Sequence, residues 1–157
     1  MSSIISEVVK IKYNSFTLAP AMLSYYETCK VKQDNVLLVY LLFPVVLNSD
    51  WIFKLPRVQK RSRLESWVRD NKLHIEGLPE RLSTFQHLSE TTLQYCIDME
   101  YAKLDENNNV IVVNNPYKKK GNFVDSAVRL TTLLGNSTPA KIYATLGIRE
   151  LEVWKHL

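Results

Sequence analysis

Apolar positions recur at helical spacing through most of the chain, and the runs break at proline, glycine and asparagine. Tyr13 to Pro20 reads as an irregular lead-in. Pro20 suits the first turn of a helix, where its missing N–H would have no partner anyway, and Met22, Leu23, Tyr26 and Cys29 carry that helix to about Lys32. Asp34 is placed to cap a second helix, Asn35 to Asn48, which is apolar nearly all round and so belongs at the centre of the fold. Pro44 inside it should kink it or end its regular part.

Further along, Ser62 with Glu65 forms a capping-box pattern ahead of Leu64, Trp67 and Val68, and Asn71-Lys72 ends that run. Pro79 opens a helix through Leu82, Phe85 and Leu88. Ser89 is placed to cap another, Glu90 to about Lys103, in which Leu93, Ile97, Glu100 and Tyr101 mark successive turns and Cys96 joins the inner face. The period then changes. Ala102–Asp105 and Val110–Val113 flank the turn-rich Glu106-Asn107-Asn108-Asn109, and asparagine tolerates positive φ, so a hairpin is expected. After a polar loop, 114–122, helical spacing resumes from Phe123 to Leu134 with a stop at Gly135 or Asn136. Thr138-Pro139 opens a last helix through Ile142, Tyr143 and Leu146, ending near Gly147.

These elements predict a mainly α fold: one compact helical domain over 1–157. It comprises N-terminal helices at 13–56, a winged-helix-like helix-helix-helix-hairpin unit at 57–113 and C-terminal helices at 123–157. In a winged unit the Glu90–Lys103 helix takes the recognition position, with Glu90, Thr91, Thr92, Gln94, Asp98 and Lys103 outward. Acidic side chains there are a poor match to a phosphate backbone, so protein docking fits this module better than sequence reading.

Composition narrows the function classes. The chain has 157 residues, 46% of them hydrophobic, enough for a sizeable core and unlike a disordered tail or a disulfide miniprotein. Met1 to Lys12 has no long apolar run of the kind a signal peptide needs, and Val36–Leu47 is far shorter than the roughly 20 residues of a membrane span. Cys29 and Cys96 lie in no C-x-x-C frame, which points to buried thiols in a reducing compartment and a cytoplasmic location. Twenty Lys+Arg against sixteen Asp+Glu leave a formal charge of +4. Part of the excess is clustered: Lys54, Arg57, Lys60, Arg61 and Arg63 form one knot and Lys118, Lys119 and Lys120 another. Either suits phosphates or an acidic protein surface, and either is also what a solvated loop looks like.

Motifs for catalysis are missing. The chain contains no phosphate-binding glycine loop, no nucleophile elbow and no zinc-protease helix, and His74, His87 and His156 are too far apart to share a helical face. No cofactor and no metal are expected. Asp98, Glu100 and Lys103 resemble the D…E-x-K set of Mg²⁺-dependent nucleases, but that chemistry needs Glu and Lys two apart on a strand. Three apart on an expected helix, they read as an ion pair. Trp51, Phe53 and Trp67 concentrate aromatic surface near the basic loop, where anchoring in the core is a simpler role than stacking on bases. Leu151, Trp154 and Leu157 repeat at helical spacing and offer a small apolar anchor, for a partner's groove or for the domain itself.

Several landmarks together carry a family resemblance. They are Tyr13-Asn14-Ser15, the apolar Leu41-Leu42-Phe43-Pro44-Val45-Val46-Leu47, the basic stretch Leu55 to Arg63 leading to Leu64 and Trp67, and Thr138-Pro139-Ala140-Lys141-Ile142-Tyr143 running on to Ile148. The pattern resembles the middle component of bacterial three-component ABC systems, the group that includes Lamassu-type anti-phage defence. The resemblance implies a non-catalytic adaptor between an SMC- or Rad50-like ABC ATPase and an effector, typically a nuclease, reaching double-stranded DNA through the complex and no membrane. A winged-helix transcriptional regulator is the rival reading, and a metal-dependent nuclease a third.

Overall fold

The computed structural model describes Ile4 and residues 14–48, 61–118 and 120–149. It is mainly helical. In chain order the elements are α1 (Ser15–Thr28), a 3₁₀ turn (Asn35–Leu38), α2 (Val39–Val46), α3 (Leu64–Asp70), α4 (Lys72–Ile75), α5 (Leu78–Asp98), β1 (Ala102–Leu104), β2 (Val110–Val112), α6 (Val124–Leu134) and α7 (Pro139–Thr145).

Helix α1 begins earlier than expected, which moves Pro20 from the first turn into the helix. The reason is a capping box: the Asn14 side chain accepts from the Thr17 N–H (3.0 Å), and Thr17 Oγ1 accepts from the Asn14 N–H (3.3 Å). Pro20 is buried against the loop after β2. A Cβ on Gly121 would lie 2.6 Å from Pro20 Cβ, and Gly121 has φ +139°, so only glycine fits this crossing.

The expected Asn35–Asn48 helix divides into the 3₁₀ turn and α2. Asp34 does not cap it. Its φ is +55°, and its carboxylate instead accepts from Asn108 Nδ2 (3.0 Å). The three-residue spacing of the 3₁₀ turn is held from outside by phenols. Tyr25 donates to the Leu38 carbonyl (2.8 Å), Tyr143 to that of Leu37, and Tyr26 reaches those of Asn35 and Val36 (both 3.3 Å). As expected, α2 is central: Val39 and Leu41 through Val46 are all buried. Pro44 lies in its last turn, and the helix ends two residues later.

Two expected helices, one from Pro79 and one from Ser89, are a single 21-residue helix, α5. No glycine or further proline interrupts 80–98, and the buried residues Leu78, Leu82, Ser89, Thr92, Leu93 and Cys96 form one continuous stripe against α1 and α2. Ser89 is therefore a small residue at a close helix contact, with its hydroxyl inward, and not a cap. Thr92, expected outward, is buried in the same stripe, and Lys103 lies on β1. Nor does Ser62 hold the N-cap position of α3, which Arg63 occupies.

The hairpin forms where the period change placed it, with Ala102 opposite Val112, Lys103 opposite Ile111 and Leu104 opposite Val110. Asn108 takes φ +57° in its turn. Helices followed at once by a hairpin are compatible with the expected winged unit. Glu100, at φ +62° in the turn after α5, does not share a helix with Lys103, so the expected helix-face ion pair has no helix to form on. Helix α6 packs along α1 and ends at Gly135. Thr138 caps α7 by accepting from the Lys141 N–H (3.2 Å).

Candidate interaction surface

The hairpin is attached to the helical body at both ends, by different chemistry. At its tip, two buried asparagines exchange hydrogen bonds with the segment between α1 and the 3₁₀ turn. Asn35 Oδ1 accepts from the Val110 N–H (2.7 Å), while Asn35 Nδ2 donates to the Val31 carbonyl (3.1 Å). Asn109 Oδ1 accepts from the Asn35 N–H (3.1 Å), and Asn109 Nδ2 donates to the Lys32 carbonyl (2.7 Å). The backbone N–H groups of Asp34 and Val36 add bonds to the carbonyls of Asn107 and Asn108. Asp105 closes the turn by accepting from the N–H groups of Asn109 (2.9 Å) and Asn107 (2.8 Å), which hold its carboxyl below the ordinary range.

At its base, the hairpin joins a row of rings in edge-to-face contact. Phe16 of α1 meets Tyr95 of α5 at 6.5 Å, Tyr95 meets Tyr101 at 6.5 Å, and Tyr101 meets Tyr117 at 6.0 Å. Removal from water, aided by the neighbouring phenols, pushes Tyr117 up to about 12. The row reaches the surface. Phe16 is 66% exposed, and Met99, Ile111 and Val113 are 47%, 39% and 52% exposed. Val113 stands beside Tyr101, its N–H donating to the Tyr101 carbonyl (2.9 Å). Lys103, opposite Ile111, and Lys118, next to Tyr117, are both exposed.

The expected site residues are distributed unevenly. Arg61 and Arg63 are exposed just ahead of α3, and Lys118 and Lys120 are exposed in the loop after β2. These two groups are on different elements. Lys54, Arg57, Lys60 and Lys119, with Trp51 and Phe53, lie outside the described residues, as do Leu151, Trp154 and Leu157. Trp67 is half-buried and packs against the core, in keeping with an anchoring role. Cys29 and Cys96 are buried, and burial raises both thiols, Cys96 to about 12.

A cleft of about 340 Å³ lies between α1 and α6, lined by Glu27, Asp125 and Arg129 among others. Glu27 there accepts from Asn115 Nδ2 (2.7 Å). Among the described residues, no group of three or more His, Cys, Asp or Glu side chains could hold a metal, and no helix is long and apolar enough to cross a membrane.

Sequence reasoning found the hairpin but missed both of its attachments. Asn35 reads as the first residue of a helix and Asn109 as an ordinary turn residue. The four rings come from four separate segments with no common period.

Against this geometry, residues 2–150 match the family model described as ABC-three component (ABC-3C) system Middle Component 3. The chain belongs to that family. The match covers nearly all of the chain and bears out the resemblance to three-component ABC systems at that level. No curated protein and no solved structure matches the chain. As a middle component it is one part of a multi-component system.

Proposed function

We propose that this middle component is a non-catalytic adaptor. In this reading it bridges an SMC- or Rad50-like ABC ATPase and an effector, a nuclease, in a Lamassu-type anti-phage or anti-plasmid complex in the cytoplasm. The family match over residues 2–150 carries the reading. A helical body that presents apolar and basic side chains at its surface is consistent with it.

Within this reading, the basic stretch Lys54, Arg57, Lys60, Arg61 and Arg63, with Lys118, Lys119 and Lys120, meets DNA phosphates or an acidic ATPase surface. Leu151, Trp154 and Leu157 enter a partner's apolar groove. Tagged chain expressed from its own locus should co-purify with the products of the two adjacent genes, one of them an ATPase with long coiled coils. Recovery as a lone monomer under those conditions refutes the adaptor role. If the basic stretch meets DNA, replacing Arg61 and Arg63 by Gln should flatten the salt dependence of the complex's DNA affinity, by about 0.9 in log–log slope for each phosphate no longer neutralised.

A further inference from the structure

We propose that the base of the hairpin and the ring row beside it form a docking surface for an acidic, apolar segment of another protein component of the system. The inference rests on the adaptor reading and adds to it a surface and a partner chemistry.

Exposure comes first. Phe16, at 66%, and Val113, at 52%, are large apolar side chains left in water beside rings that already pack on the core. A single exposed apolar residue is unremarkable, but a connected group marks a contact site. Here the connection is given by the ring contacts from Phe16 to Tyr117 and by the pairing of Val113 with Tyr101. Rigidity comes second. The rings come from α1, α5, the turn before β1 and the loop after β2, and the clasp at the far end of the hairpin fixes its position on the body. A partner would meet a preformed surface and would not have to order it on binding.

Charge decides the partner. Lys103, Lys118 and Lys120 are exposed along the hairpin and the loop that carries Tyr117, and the Lys120 N–H donates to the Tyr117 carbonyl (2.9 Å). Nearby Glu100 is exposed, while Asp98 already accepts from Gln94 Nε2 (2.7 Å). Lysines bordering apolar side chains fit a segment whose Asp and Glu residues flank apolar ones. Nucleic acid fits less well. Edge-to-face contacts place one ring's edge against the next ring's face, which competes with base stacking. Phosphates would also leave Phe16 and Val113 uncovered.

The test uses the full chain co-expressed with the other two components. Phe16→Asp with Val113→Asp forms one variant, and Lys103→Glu, Lys118→Glu and Lys120→Glu together form another. All five positions are exposed, so both variants should keep the wild-type circular dichroism. Each should weaken the complex about tenfold or more in titrations of purified components. A zero-length carbodiimide, which joins an amine to a carboxylate, should link at least one of these lysines to Asp or Glu of a partner.

A wild-type complex that is indifferent to both variants overturns the inference and leaves the adaptor reading standing. If the apolar variant unfolds, the lysine variant alone decides. Absence of any wild-type complex overturns both. Binding of a duplex or single-stranded oligonucleotide that the two variants abolish, with protein association intact, assigns the surface to nucleic acid and overturns the inference.

Discussion

The hairpin's tip is fastened by amides and its base by rings, and the two fastenings leave different surfaces behind. At the tip, Asn35 and Asn109 are buried and each makes several hydrogen bonds, so these two amides are taken up within the fold. At the base, edge-to-face contacts hold the rings without covering them. Phe16 and Val113 stay in water. Directional bonds position the hairpin, while apolar contact positions it and also leaves area for a second partner. In a component of a multi-part assembly, the second kind of attachment is where association can occur.

Alkali should produce the largest effect and separates buried phenols from the surface row. Burial raises Tyr25, Tyr26 and Tyr143 well above the ordinary 10.0. In the unfolded chain these phenols ionise near 10.0 while in the folded chain they resist, so their contribution is complete below pH 10 and is lost as pH climbs past it. Circular dichroism against pH should show cooperative unfolding above about pH 10. Tyr143→Phe, though it also loses the bond to the Leu37 carbonyl, should make the fall of stability above pH 10 shallower by more than Tyr117→Phe does, since Tyr117 is pushed only to about 12.

The clasp comes next. Asn35→Ala leaves the Val110 N–H and the Val31 carbonyl without their side-chain partner, at a cost of about 2–4 kcal/mol in urea unfolding. Faster exchange of the Val110 amide should accompany it. An unchanged denaturation midpoint would mean the tip is held by something other than these amides. At the base, Tyr117→Leu keeps apolar area but removes an edge contact, with an expected loss of about 0.5–1.5 kcal/mol. Phe16→Ser should sharpen the contrast most: it removes one ring contact from an exposed side chain, a loss of about 0.5–1 kcal/mol, well below that of Asn35→Ala, while weakening association with the other components. If Phe16→Ser destabilised the chain as much as Asn35→Ala, the row would be structural rather than free for a partner.

Local signals accounted for several elements. The hairpin follows from an asparagine-rich turn followed by the β-branched run Val110–Val113, and Asn108 adopts the positive φ that residue type tolerates. Thr138-Pro139 and Gly135 act as the helix start and stop their types suggest. Local signals failed where a longer-range contact outweighed them. Ser89 has the chemistry of a cap, yet the apolar stripe of α5 continues through it. Asp34 has the same chemistry, yet its carboxylate turns to Asn108. Of the candidate site, the lysines at 118 and 120 were legible as a charge cluster. The rings beside them were not, because Phe16, Tyr95, Tyr101 and Tyr117 become neighbours only when α1, α5 and the hairpin meet.

By itself, then, the order of residues determined the helical class, the hairpin and the apolar identity of α2, since these depend on period and on side chains within a few positions of each other. Which polar groups are buried, and which apolar ones are left in water, was decided by the packing of distant segments. Asn35 lies 74 positions from its partner Asn109. A hydrogen bond or a ring contact across that separation has no period, so it forms only after the intervening helices have chosen their faces.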